Sequence, residues 1–323
     1  MRAVVVEKGR PAALQQVDRA FLGQGDVVVD VAWSSLNYKD GMALSGDPGV
    51  VRTSPLVPGI DLVGTVAESS SADWSPGDLV LLNGAGAGES RHGGWAEQAV
   101  VDGTSLVAVP EGISPRQAAA VGTAGFTAML SVLRLERDVR PGDGDVVVTG
   151  AAGGVGSVAI ALLSGLGYSV TASSGRADEQ RDYLTRLGAS NVIDRGELDR
   201  PGRPVQSARW AGGVDSVGSH TLATVLAQTA WGGTVTACGL AQGSDLPTTV
   251  LPFILRGVSL LGIDSVAAPL DLRQRAWARL GTDLDPALLR AVSRTVGLAE
   301  AIEVGAAVVA GRVHGRTVVD VRR

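Results

Sequence analysis

Apolar residues in the first third of the chain fall in short runs, many alternating with polar ones, at residues 1–7, 26–33, 62–69, 78–82 and 96–101. Turn formers stand between them: Pro58-Gly59, Pro76-Gly77 and the glycines of 84–88. Period-two runs punctuated this way predict a small, mostly antiparallel β domain. From Arg116 the period lengthens, and 117–133 reads as a helix. Strands and helices then alternate. Strands are predicted over 145–150, 168–174, 191–194, 214–218, 234–239 and 258–262, and helices over 155–166, 178–187 and 221–230. Such alternation argues for βαβ units and a parallel sheet covered on both faces. From Leu284 the tail reads as a helix and then a last strand, 315–321. The expected class is α/β, with a β domain over 1–120, a doubly wound parallel-sheet domain inserted over 121–265, and a return to the first domain over 266–323. No internal repeat and no low-complexity linker interrupts it.

The sharpest local signal sits where a predicted strand meets a predicted helix. There Asp145-Val-Val-Val-Thr-Gly-Ala-Ala-Gly-Gly-Val-Gly-Ser157 spaces Gly150, Gly153 and Gly156 as G-x-x-G-x-x-G. Glycines allow a tight turn, close approach of backbone to a pyrophosphate, and tight packing of helix on strand. The helix N-terminus then offers free N–H groups to phosphate. Alone, a glycine triplet fits a packing turn equally well; the strand–loop–helix context and a second strand about 20 residues on favour a dinucleotide. That strand ends in Ser173-Ser174-Gly175-Arg176, without the carboxylate that binds an unphosphorylated ribose. Hydroxyls and an arginine suit a 2′-phosphate, so NADPH is favoured over NADH. The bland alternative is that Arg176 lies solvated on a loop.

Composition narrows the function classes. The chain is 45% hydrophobic and 19% charged, which is ordinary for a folded protein and far from disorder. Glycine supplies 44 of 323 residues with no G-X-Y period, as expected of a loop-rich enzyme and not of collagen. A net charge of −5 gives no footprint for nucleic acid or an anionic membrane. Lysine occurs only at Lys8 and Lys39, a bias toward arginine that points to genome composition before function. The most apolar stretch, 155–168, is broken by Ser157, Ser164, Gly165 and Gly167 and is short of the ~20 residues a span needs. Residues 1–11 read as a strand and turn without the apolar core of a signal peptide. A cytoplasmic protein is expected.

Cys238 is the only cysteine, which rules out an intramolecular disulfide and a zinc site of several thiolates. His92, His220 and His314 lie far apart, outside any ligand spacing. His92 and His314 are expected at the surface and Cys238 as a small buried hydrophobe. No metal is expected.

With those pieces in place, the chain resembles the zinc-free, quinone-oxidoreductase-like branch of the medium-chain dehydrogenase/reductase superfamily, and within it the acrylyl-CoA reductase group. The carrying segments are Ser35-Leu-Asn-Tyr-Lys-Asp40, Pro58-Gly-Ile-Asp-Leu-Val-Gly-Thr-Val66 and Gly122-Thr-Ala-Gly-Phe-Thr-Ala128. To these are added the glycine loop, Trp210-Ala-Gly-Gly-Val-Asp-Ser-Val-Gly218, Pro252-Phe-Ile-Leu-Arg-Gly-Val258 and Gly262-Ile-Asp-Ser-Val266. Where zinc-dependent relatives carry Gly-His-Glu, this sequence has Gly59-Ile60-Asp61. The resemblance implies a GroES-like catalytic domain, a Rossmann domain with the nucleotide in the cleft beside it, and a homodimer joined through edge strands. By position, cofactor contacts fall on Tyr38, Gly153, Gly154, Val155, Gly156, Ser173, Ser174, Arg176 and Arg195. Leu240, Ile254 and Ser265 are expected on the nicotinamide side.

The implied reaction is NADPH-dependent reduction of an activated C=C bond in an enoyl thioester. Hydride chemistry belongs to the cofactor, so the chain must stabilise the developing enolate. Tyr38 is the candidate donor or proton relay, with Asn37 beside it and Asp61 and Lys39 orienting the group. Each has a structural alternative: Asn37 fixing a turn, Asp61 capping backbone N–H groups, Asp40 capping the helix that follows. A quinone or free-enone oxidoreductase shares all these motifs, and a nucleotide-binding protein without catalysis is the third reading. Arg52, Arg91 and Arg256 are candidates for a CoA phosphate, but no spacing selects one. The glycines of 84–94 are placed beside the substrate.

Overall fold

The computed structural model describes residues 1–323, and its first hydrogen-bonded pair joins β1 (Arg2–Val5) antiparallel to β2 (Ala13–Gln16). The chain continues through β3 (Val27–Leu36), α1 (Tyr38–Leu44), β4 (Asp61–Ser69), β5 (Leu79–Asn83), β6 (Gln98–Val101), β7 (Val107–Ala108) and α2 (Pro115–Leu135). Next come β8 (Asp145–Val148), α3 (Gly154–Gly165), β9 (Ser169–Ser174), α4 (Ala177–Arg186) and β10 (Asn191–Asp194). They are followed by β11 (Trp210–Asp215), α5 (Ser219–Gln228), β12 (Thr229–Ala237), α6 (Leu251–Arg256) and β13 (Ser259–Gly262). The last part holds α7 (Leu270–Asp283), α8 (Pro286–Ala291), β14 (Ser293–Gly297), α9 (Leu298–Val309) and β15 (Arg316–Asp320).

Two units divide these elements: Met1–Phe126 with Ser265–Gly281 and Leu289–Arg323, and Thr127–Asp264 with Thr282–Leu288. The first unit carries a sheet ordered β14-β15-β3-β4-β5-β7, with β6 also paired to β3. All its pairings are antiparallel except β14 with β15. Its core gathers Val27, Val29 and Val31 of β3, Leu62 and Val66 of β4, Val80 and Leu82 of β5, Trp95 and Val319. Each such buried aliphatic side chain contributes roughly 1.5–3 kcal/mol. The second unit is a six-stranded, all-parallel sheet ordered β10-β9-β8-β11-β12-β13. The strand order reverses between β8 and β11, where doubly wound sheets bind their ligands at the carboxyl ends. Helix α3 is buried from Gly156 to Leu163, as the apolar run of residues 158–163 requires, and Ser157 is buried with it.

Several local expectations are corrected. The helix expected unbroken over 117–133 runs from Pro115 to Leu135 but is interrupted at Gly122 (φ 49°, ψ −162°). The break turns the N–H of Thr123 onto the Asp61 carboxylate, at 2.9 and 3.0 Å. The strand expected over 214–218 is β11, and it stops at Asp215. There the Asp215 carboxylate accepts the N–H groups of Val217 and Gly218 and peels the chain off the sheet. Helix α7 was missed, although Arg273, Ala276, Trp277 and Leu280 are its buried residues at i, i+3, i+4, i+7. The tail expected as one helix and one strand contains α8, β14 and α9 before β15. Asp40 does serve as a cap, from inside the helix: Asn37 is the N-cap of α1, and Asp40 at the third helical position accepts the Asn37 N–H at 2.7 Å to complete a capping box.

His92 is not a free surface side chain. Its Nδ1 accepts the Val57 N–H at 3.0 Å and its ring lies 4.9 Å from that of Phe21. Burial holds its pKa below the usual value. One helix, Pro115–Leu135, is long and apolar enough to cross a membrane, and 89% of its apolar window is buried inside the molecule.

Candidate active site

In the second unit the turn after β8 is built from backbone. Gly150 takes φ +58°, and a Cβ there would stand 2.4 Å from Ser216 Oγ. A Cβ on Gly156 would meet Gly150 O at 2.5 Å and Ala151 Cα at 2.7 Å, so the helix start can lie against the turn only without a side chain. Gly153 is the N-cap of α3, and the first helical bond is Ser157 N–H to Gly153 O at 2.9 Å. The N–H groups of Gly154, Val155 and Gly156 precede that bond and form the open helix end.

Beside it, β9 and β10 end together, with Ser174 opposite Asp194. The Ser174 hydroxyl donates to Gln180 Oε1 at 2.5 Å and accepts the Arg176 N–H at 3.2 Å, so it shapes the turn. Ser173 is buried at the strand end, with its carbonyl accepting the Ala151 N–H. Arg176 is exposed at the N-cap of α4. The Arg195 side chain lies along the backbone of Gly175, where a Cβ would stand 2.9 Å from its Cδ and Nε. Two arginines therefore flank one strand end. Arginine side chains so placed are the usual partners of a phosphate group. Leu240 and Ile254 are 65% and 68% exposed, large apolar side chains open for a partner.

At the same sheet end, buried Asp215 accepts Thr149 Oγ1–H at 2.7 Å, and burial raises its pKa. Cys238 donates to the Asp215 carbonyl, and its thiol is pushed up to about 12 by burial and the Asp215 charge. This thiol stays protonated and is no nucleophile.

In the first unit the expected catalytic group is assembled around Asp61. One carboxylate oxygen accepts from Asn83 Nδ2 (2.7 Å), Thr123 Oγ1 (2.6 Å) and Thr123 N–H. The other accepts from Ser35 Oγ (2.5 Å) and Asn37 Nδ2 (2.8 Å), and also takes the Thr123 N–H. Arg316, buried on β15, donates to Asn37 Oδ1 at 3.1 Å, Ser35 Oγ at 3.0 Å and Ala120 O at 2.7 Å. Asp40 accepts from Asn37 on one oxygen and from Ile60 N–H on the other. Its carboxyl is pushed up to about 7, by burial first and then by the charge of Asp61.

On this base stands α1. Tyr38, its first residue, is 52% exposed, and its phenol makes no hydrogen bond within the protein. Lys39 Nζ is 2.9 Å from Glu89 Oε1 on the glycine-rich loop. Asn37 and Asp61 are buried and their polar atoms are committed, whereas Tyr38 and Lys39 remain open to solvent. Ser265 also belongs to this unit, its carbonyl accepting from Arg273 at 3.2 Å. Sequence reasoning missed Arg316, Arg273, Asn83 and Thr123. Of the candidate CoA arginines, Arg256 is committed to the carbonyls of Ala227, Thr229 and Gln206.

A GroES-like antiparallel unit and a six-stranded dinucleotide-type unit in one chain define a two-domain dehydrogenase. Residues 23–111 match the family described as alcohol dehydrogenase GroES-like domain, and residues 154–281 match zinc-binding dehydrogenase. The chain is 50% identical, over 99% of its length, to the probable acrylyl-CoA reductase AcuI of Escherichia coli K12, covering 100% of that protein. It is also 50% identical over 99% of its length to the acrylyl-CoA reductase AcuI of Ruegeria pomeroyi, covering 98%. The Salmonella enterica YhdH oxidoreductase in complex with NADP superposes with a TM-score of 0.97 at 49% identity, over 99% of both chains. The Bacillus subtilis protein YhfP with NAD bound superposes at 0.95 and 42% identity, over 99% of this chain and 98% of that one. The chain belongs to the medium-chain dehydrogenase/reductase superfamily.

The second family description implies zinc, and the residues present do not fit it. No group of three or more His, Cys, Asp or Glu side chains converges on a point that could hold a metal. The carboxylate oxygens of Asp61 are filled by donors, and His92 Nδ1 is taken by Val57. The dinucleotide does fit: the turn after β8 packs on itself too closely for a Cβ at Gly150 or Gly156, and it leads into the open N-terminus of α3.

Proposed function

We propose that this chain is an NADPH-dependent reductase of an activated C=C bond, with an acrylyl-CoA-like enoyl thioester as substrate. The observation that carries the reading is the exposed Tyr38 phenol at the head of α1, on a buried base in which the polar groups are paired. The two full-length relatives named for acrylyl-CoA reduction support it. The cofactor supplies hydride. Gly153, Gly154, Val155 and Gly156 hold its pyrophosphate, and Ser173, Arg176 and Arg195 receive the 2′-phosphate, with Ser174 shaping their turn. Leu240, Ile254 and Ser265 meet the nicotinamide end.

Tyr38 donates to the thioester oxygen as negative charge develops there, or relays the proton that the α-carbon takes up. Lys39, held by Glu89, adds positive charge beside it. Asn37 and Asp61 act through α1 and do not touch substrate. The first unit is the catalytic domain and the second the cofactor domain of a cytoplasmic enzyme. The dimer uses the free edge of β13, a strand paired only to β12.

The deciding experiment follows NADPH consumption with acrylyl-CoA, crotonyl-CoA and a simple quinone in parallel. Turnover confined to the CoA esters, and fastest with acrylyl-CoA, is expected. Turnover with quinone alone would replace the thioester reading, and tight NADPH binding without turnover on any acceptor would remove the enzymatic one.

A further inference from the structure

We propose that Arg273 is a positioning residue for the nicotinamide end of the cofactor, acting by fixing residues 265–268 against the start of the glycine-rich loop. The proposal rests on the reading that Ser265 meets that end. Arg273 is buried on α7, and its side chain donates to four backbone carbonyls. Nε reaches Ala268 O at 2.8 Å, Nη1 reaches Asn83 O at 2.6 Å, and Nη2 reaches Val266 O at 2.6 Å and Ser265 O at 3.2 Å. The guanidinium carbon lies 5.5 Å from the centre of the Phe126 ring.

Residues 265–268 belong to no helix or strand, so their carbonyls have no ladder to satisfy them. The planar fork of an arginine replaces the ladder; the single ammonium of a lysine cannot span acceptors so placed. The glycine loop closes the same joint from the other side. Ala85 N–H donates to Val266 O at 3.3 Å, and a Cβ on Gly84, whose φ is +67°, would stand 3.0 Å from Val266 Cα.

The joint extends to the hydrogen-bonded cluster around Asp61. Trp277, one turn beyond Arg273, donates from Nε1 to Asn83 Oδ1 at 2.9 Å. Asn83 in turn donates to Asp61 Oδ1. Helix α7 therefore grips Asn83 by both backbone and side chain. Through that residue it sets residues 265–268 and Asp61 in one frame.

The test is Arg273→Lys in the full chain, with dissociation constants measured for NADPH and for adenosine 2′,5′-bisphosphate, which lacks the nicotinamide half. Amide exchange is read over residues 84–88 and 265–268 in the same protein. Expected are an NADPH affinity weakened about tenfold, an unchanged affinity for the bisphosphate, and faster exchange in both segments. Faster exchange with both affinities unchanged would make Arg273 a structural brace and overturn the proposal. Equal weakening of both ligands would overturn it too. If the wild-type chain binds NADPH no more tightly than the bisphosphate, the cofactor reading of Ser265 fails and the proposal fails with it. Should Arg273→Lys not fold, Gly84→Ala presses on Val266 with the arginine intact. The same selective loss of NADPH is expected there, and an unchanged gap between the two ligands would again overturn the idea.

Discussion

The turn over 150–156 and the cluster around Asp61 serve one proposed reaction through opposite constructions. The turn is made of backbone, and what matters at Gly150 and Gly156 is that no side chain is present. The cluster is made of side chains drawn from β3, α1, β4, β5, α2 and β15, and each is held by the others. A backbone site depends on dihedrals and close approach, properties local to a few consecutive residues. A side-chain cluster depends on register between strands distant in the chain. The first tolerates change around it; the second fails as a unit when one member moves.

Gly122→Ala should break the cluster most severely. A Cβ there would stand 2.6 Å from Asp61 Oδ2, 2.7 Å from Arg316 Nη2 and 2.8 Å from Ser35 Oγ, at a φ of +49°. A loss of about 3 kcal/mol in denaturant unfolding is expected, from overpacking added to backbone strain. A variant as stable as wild type would show that the cluster yields, and the contrast with the turn would dissolve.

Arg176→Ala probes the other side. The second unit should keep its stability while affinity for NADPH falls about a hundredfold, with little change for NADH, since one charge-assisted contact to phosphate is lost. Equal loss for both cofactors would take the 2′-phosphate away from this strand end.

The smallest effect is a slope with pH. Asp40 is held at about 7 against an ordinary 3.8. Between those values the folded chain keeps a proton that the unfolded chain has released, so this group's contribution to stability declines as pH rises through the window. Above about 7 both states are ionised and the deficit is constant. Asp40→Asn should abolish the slope, so melting curves of variant and wild type should diverge in the variant's favour from acid to neutral pH. Parallel curves would place the titrating charge elsewhere in the cluster.

The same contrast explains what could be read from the sequence. The parallel sheet was legible because each βαβ unit carries its own periodicity, and β10 was placed to the residue. The glycine turn was legible because its spacing is contiguous. Tyr38, Asn37 and Asp61 stand out in the sequence only through the family resemblance, and nothing local shows that Asn37 and Asp61 are buried while Tyr38 is exposed. Helix α7 had the right period, yet its charged residues, the buried Arg273 among them, masked it. Arg316 sits at the head of the last strand, 279 positions from Asn37, and no local pattern announces such a partner.

By itself, then, the sequence determined two folding units and a dinucleotide turn, because these follow from local period and spacing. Only the tertiary structure decided which polar residues are buried and mutually satisfied and which face solvent. It buried Asp61 at the centre of a hydrogen-bonded cluster, left Tyr38 exposed, and closed the joint of Arg273 with residues 265–268. Burial and hydrogen-bond partnership are set by residues far apart in the chain, which the fold alone brings within reach of one another.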